Sequence, residues 1–185
     1  MIFNSHSRLP GEHAFLGASK YHWLSYDEDK LARVFTAAQA AARGTELHDL
    51  AARLIRLKQG LERTDQTLNA YVNDCIGFRM VPEQPLYYSD NCFGTPDAIS
   101  FRDNVLRISD LKTGRTRASF QQLEVYAAIF CLEYRVNPFD IQMEFRIYQS
   151  DKIHGATGDP DEIFHIMEKI KQFDKFINQM RLEAL

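Results

Sequence analysis

Cysteine is scarce in this sequence, long apolar runs are missing and neither sign of charge dominates; each shortage removes a class of protein. Only three of the 185 residues are cysteine. Cys75, Cys92 and Cys131 are odd in number, widely spaced and without a CxxC pair, which argues against a disulfide framework or a zinc knuckle. Four thiolates for an iron–sulfur cluster are out of reach of one chain, so the three read as reduced, partly buried thiols. The longest apolar run, Val125 to Leu132, has eight residues, against about 18–20 for a bilayer span. No membrane helix is expected. The first fifteen residues mix Asn, Ser, His, Arg, Pro and Glu without an apolar stretch, so no secretory signal is expected either, and the predicted compartment is the cytoplasm. The formal charge of −3, from 22 basic and 25 acidic residues, offers no global positive field. That weighs against a DNA-coating protein, but not against a site that grips an anionic ligand locally with the help of a bound cation.

What is present is ordinary globular material, 45% apolar and 25% charged, in a length that suits one domain. No repeat, low-complexity tract or linker divides it, so residues 1–185 are expected to form a single unit. Its parts would be a helical portion over 1–77, a core over 78–149 and a C-terminal helix over 160–185. Helical periodicity marks Ala18–Ser25, Asp27–Arg43, Thr45–Gln59 and Asp65–Ile76. Thr45 would be an N-cap and Gly60 a C′ residue. Strand-like runs follow at Phe78–Tyr88, Thr95–Arg102 and Val105–Lys112, an antiparallel meander. Ser119–Arg135 is a helix apolar nearly all round, which suggests burial against a sheet. Asp140–Gln149 alternates as a fourth strand, and a loop over Ser150–Pro160 leads to the last helix. The expected fold class is α/β, a central mixed sheet flanked by helices.

The most informative segment runs from Gly94 to Gly114, GTPDAISFRDNVLRISDLKTG. A two-residue turn at Asp103-Asn104 sets Arg102 against Val105, Ile99 against Ile108 and Phe101 against Leu106. The same register puts Asp97 opposite Asp110 and Thr95 opposite Lys112, all on one face. Two carboxylates directly across a ladder repel unless something positive lies between them. Hard oxygen ligands suit Mg2+ or Mn2+, and Lys112 beside them can stabilise charge developing on a phosphoryl group. The same three residues also fit a plain salt bridge, with Lys112 neutralising one aspartate.

Asp97, Asp110 and Lys112, in "GTPD" and "ISDLKTG", resemble the core of the PD-(D/E)XK nuclease superfamily, and the surrounding residues resemble its RecB-like and phage exonuclease branch. Gly44 and His48 match a G-x-x-x-H element, and Gln122 and Tyr126 a Q-x-x-x-Y element. Glu83 matches a first-strand glutamate, and Ser19 and Trp23 an S-x-x-x-W opening. The matches keep the family order across roughly residues 16–149.

The resemblance implies a restriction-endonuclease-like core and a metal-dependent deoxyribonuclease, an exonuclease rather than an endonuclease. It would hydrolyse DNA phosphodiesters with Mg2+ or Mn2+, in phage-type recombination or repair, inside a bacterial or phage-infected cell. It implies that His48 joins Asp97 and Asp110 around the ion. The Leu111 carbonyl is a further candidate ligand, and Glu83 a lesser one. Gln122 and Tyr126 would orient Lys112 or the DNA backbone. Arg115 and Arg117, with Thr113 and Ser119, form a candidate phosphate clamp, which Arg53, Arg56 and Lys58 would extend. The implied partners are DNA and a recombinase or single-strand annealing protein, with a homo-oligomer as the assembly. A non-catalytic nucleic-acid-binding or assembly module on the same fold is the alternative.

Overall fold

A computed structural model describes residues 14–16, 18–114 and 119–183. The chain divides into two compact units, residues 1–45 and 46–185. In the first, a short 3₁₀ helix, Ala18–Ser25, precedes the start of α1 (Glu28–Arg56). Asp27 caps α1, its Oδ1 accepting the Lys30 N–H at 2.7 Å. Phe15 and Phe35 meet edge to face there, with ring centroids 5.1 Å apart.

The two helices expected over Asp27–Gln59 are one. Thr45 is no N-cap: its Oγ1 donates to the Ala41 carbonyl at 3.3 Å, the back-bond of a threonine inside a helix. Nor does Gly60 end the helix. Lys58 takes the left-handed position at φ 54°, with Lys58 N–H on Ile55 O and Gln59 N–H on Leu54 O, the two bonds of a Schellman ending. Helix α2 (Thr67–Gly77) ends the same way, through Arg79 at φ 53°.

The second unit is α/β, with a mixed five-stranded sheet flanked by helices. Its strands are β1 (Val81–Pro82), β4 (Ala98–Arg102), β5 (Val105–Lys112), β6 (Gln142–Gln149) and β7 (Lys152–Thr157), in the order β1-β4-β5-β6-β7. A separate hairpin pairs β2 (Leu86–Ser89) with β3 (Cys92–Gly94). The predicted run Phe78–Tyr88 is therefore not one strand: only Val81 and Pro82 pair with β4, and Glu83 at φ 50° turns the chain away. The predicted loop Ser150–Pro160 also fails, because Ser150 and Asp151, both at positive φ, turn β6 into the edge strand β7. Exposed nearly throughout, β7 carries no alternating apolar signal.

The β4–β5 register is the one the turn predicts, Arg102 on Val105 and Ile99 on Ile108. Helix α3 (Gln121–Tyr134) carries the chain over to β6, which pairs parallel to β5. Ile99, Leu106, Ile108, Met143, Phe145 and Ile147 pack with residues of α3 and of α4 (Pro160–Glu183) in one core. Phe101 is half-exposed, its ring 5.2 Å from that of Phe130. In the second core, Ala98, Leu111 and Tyr148 pack with Ala51, Leu54 and Ile55 of α1 and Tyr71, Val72 and Cys75 of α2. Among the described residues, no helix is long and apolar enough to cross a membrane.

Candidate active site

The sheet positions the acidic pair at one strand end. Asp110 is near the end of β5, and Asp97 immediately precedes β4, just outside the ladder. Freed from strict alternation, the Asp97 carboxylate turns back on the neighbouring strand: Oδ2 accepts the Leu111 N–H at 2.8 Å. Its Oδ1 lies 3.3 Å from His48 Nδ1. The imidazole comes from α1, one turn before Ala51 and Ala52, which are buried.

Asp110 is only 3% exposed. Lys112 Nζ lies 3.1 Å from its Oδ1 and 3.0 Å from its Oδ2. The hydrogen bond goes to Oδ1, and Oδ2 is buried without one. Burial, and then the charge of Asp97, push the Asp110 carboxyl above the usual carboxylate range, against the pull of Lys112 and His48. His48 shifts upward as well. Its hydrogen bond with Asp97 is the main cause, burial opposes it, and the Leu111 backbone and Asp110 add to it.

A chain of hydrogen bonds fixes the lysine from its other side. Nζ donates to Gln122 Oε1 at 3.0 Å, Gln122 Nε2 donates to the Tyr126 hydroxyl at 3.1 Å, and that hydroxyl donates to the Thr95 carbonyl at 3.1 Å. Gln122 and Tyr126 are four apart on α3 and so share a helix face. Gly94 lies close against that ring, since a Cβ there would be 2.9 Å from Tyr126 Cε1 and would push it aside.

Glu83 stands apart from the aspartates. Its N–H donates to the Asp97 carbonyl at 3.0 Å, while its carboxylate pairs with Arg56 at 3.0 Å. His48, Glu83, Asp97 and Leu111, walled by Ala51, Ala52 and Tyr71, line a pocket of about 10 Å³, roughly the space of one water. Asp110 is not in its lining.

Among the described residues, no group of three or more His, Cys, Asp or Glu side chains is gathered to hold a metal ion unaided. The donor chemistry is nevertheless that of a hard cation which takes one or two carboxylates and fills its sphere with water and substrate oxygens. Asp110 Oδ2, buried and without a hydrogen bond although Lys112 Nζ lies 3.0 Å away, is the observation that fits such a guest.

Of the predicted residues, His48, Asp97, Asp110, Leu111, Lys112, Gln122 and Tyr126 come together and Glu83 lies at the edge. Thr113 is exposed, and the Ser119 Oγ accepts the Gln121 N–H at the start of α3. Arg115 and Arg117 lie outside the described residues. Arg53, Arg56 and Lys58 are exposed around the end of α1. Sequence reasoning missed three features: Tyr71 in the pocket wall, the Thr95 carbonyl under Tyr126, and the grip of Arg56 on Glu83. Tyr71 reads as core from helical spacing, a carbonyl has no sequence signal, and the ion pair joins residues 27 apart.

Compared with family models, with curated proteins and with solved structures, the chain finds no match in any of the three.

Proposed function

We propose that this chain is a divalent-metal-dependent deoxyribonuclease of PD-(D/E)XK type, similar to the RecB-like and phage exonuclease branch. The observation that carries the reading is Lys112, held between buried Asp110 and Gln122 beside the Asp97–His48 pair.

Asp97 and Asp110 are the residues to hold Mg2+ or Mn2+, with His48 and the Leu111 carbonyl as further donors. Such an ion, when bound, supplies Lewis-acid polarisation of a phosphodiester and activation of water. Asp97 is oriented by the Leu111 N–H, so its free lone pairs have a fixed direction. Lys112 offers an ammonium to charge developing on the phosphoryl oxygens. Gln122 and Tyr126 act through Lys112, fixing where its charge sits. The same reading makes DNA the substrate, with Thr113 and Ser119 near the phosphate path. Exonuclease action, a recombinase or annealing partner, a homo-oligomeric assembly and a cytoplasmic setting belong to the same proposal.

The test is release of label from 5′- and 3′-labelled linear DNA with Mg2+ or Mn2+. The proposal expects metal-dependent release that disappears in both Asp97→Ala and Asp110→Ala. Undiminished cleavage by both variants would reject the site. Tight DNA binding without turnover under either metal would favour the non-catalytic module.

A further inference from the structure

The backbone of Glu83 is committed to the site while its side chain is engaged elsewhere. The N–H bond to the Asp97 carbonyl at 3.0 Å holds the residue against the strand that carries the aspartate. A φ of 50° is a conformation that non-glycine residues keep only where surrounding structure imposes it. The carboxylate is taken by Arg56, Nη2 to Oε2 at 3.0 Å, and the same nitrogen reaches the Pro82 carbonyl at 3.4 Å. Both partners meet solvent, with the Arg56 side chain 54% and the Glu83 side chain 37% exposed. An exposed pair of this kind contributes little and is screened by salt, so another anion can replace one partner.

The guanidinium is suited to such an exchange. It carries five N–H donors in a planar fork, and only Nη2 is engaged by these two acceptors. A phosphodiester offers the paired oxygens that this fork binds bidentately. Arg56 closes α1 between exposed Arg53 and Lys58, and its carboxylate partner belongs to a residue lining the pocket with His48 and Asp97.

We infer that Arg56 is a phosphate contact for the DNA strand and that it holds Glu83 in exchange: a backbone phosphate takes the guanidinium and releases the carboxylate to the pocket. This rests on the nuclease reading. It makes Arg56 a substrate-binding residue and Glu83 a positioning residue whose charge reaches the site only when DNA is present. By linkage, DNA and cation then strengthen each other's binding.

The test is anisotropy of fluorescein-labelled double-stranded DNA in EDTA, where no cleavage occurs, across a KCl series. Arg56→Ala is expected to weaken binding and lower the slope of log affinity against log salt by about 1. Glu83→Gln frees the guanidinium and is expected to tighten binding about two- to fivefold with the slope kept. An ion pair that makes no phosphate contact leaves the salt slope of folded Arg56→Ala at the wild-type value, and that result overturns the inference. Thermal melts establish that each variant folds. If Arg56→Ala does not, Glu83→Gln decides alone, with equal or weaker binding counting against the exchange. Wild-type protein that binds no DNA at low salt in EDTA and cuts none with Mg2+ or Mn2+ contradicts the nuclease reading itself. Wild-type protein that binds and cuts, with an unchanged slope in Arg56→Ala, overturns only the exchange.

Discussion

Lys112 and Gln122, ten residues apart, meet at 3.0 Å between Nζ and Oε1. The contact joins the end of β5 to the first turn of α3, so a flexible four-carbon side chain is held at both flanks. Asp110 supplies the opposite anchor at 3.1 Å. Removing Gln122 leaves the ammonium charged but free to swing. Gln122→Ala should therefore lower kcat about tenfold, the rate equivalent of ~1.4 kcal/mol, with KM changed less than about twofold. The amide is exposed, so the melting temperature should barely move. Steady-state kinetics on linear DNA, alongside a thermal melt, separates this from a packing role, in which stability falls and kcat per folded molecule does not.

Asp110 yields a prediction about stability. Its carboxyl holds a proton more tightly in the folded protein than in the unfolded chain, because burial and Asp97 disfavour its charge. As pH rises past the ordinary carboxylate value, the unfolded chain ionises first and the wild type loses stability until the folded carboxyl ionises too. Above that pH the loss is constant. Asp110→Asn carries no such charge. It should melt higher than wild type at neutral pH, with the difference closing in acid. Thermal unfolding from pH 3 to pH 8 would measure it, and a wild type more stable than the variant at neutral pH would show that the Lys112 pair outweighs the burial of charge.

How much of this was legible beforehand follows from which forces are local. The Asp103-Asn104 turn fixes the β4–β5 register, because two residues that tolerate left-handed backbone leave one tight pairing, but the ladder ends at Ala98 on Ser109, short of the expected pairings of Asp97 with Asp110 and Thr95 with Lys112. Gln122 and Tyr126 were readable as one helix face. The split of Phe78–Tyr88 was signalled only by Pro82 and Pro85, which disfavour a continuous strand, and what breaks the run is the turn at Glu83, held by its bond to Asp97. Strand β7 escaped because it lies at the sheet edge and needs no apolar face. The Schellman ending at Lys58 escaped because a lysine stands where glycine is the usual signal. The position of Asp97 beyond the ladder, and hence its turn toward Leu111 and His48, depends on where pairing stops, which periodicity does not locate.

Gly158 offers a test of the core independent of any activity. Its N–H bonds to the Met143 carbonyl at 2.9 Å, and an added Cβ would meet Met143 Cβ at 2.8 Å and the Phe145 ring at 3.0 Å. Met143 and Phe145 are fully buried on β6, so neither can yield cheaply. Gly158→Ala should cost about 1–3 kcal/mol in urea unfolding, with activity per folded molecule unchanged. A loss below about 0.5 kcal/mol, the ordinary effect of a surface change, would mean that this junction is looser than described.

The central claim is that Asp97, Asp110 and His48 converge on a divalent cation beside Lys112. Titration of Mn2+ into the protein without DNA, following the free ion by paramagnetic resonance, tests it most directly. The account predicts saturable binding that is lost in Asp97→Asn and in Asp110→Asn. Binding should also weaken as pH falls through the raised pKa of His48, where proton and cation compete for the imidazole. Equal Mn2+ binding by the wild type and both variants would contradict it.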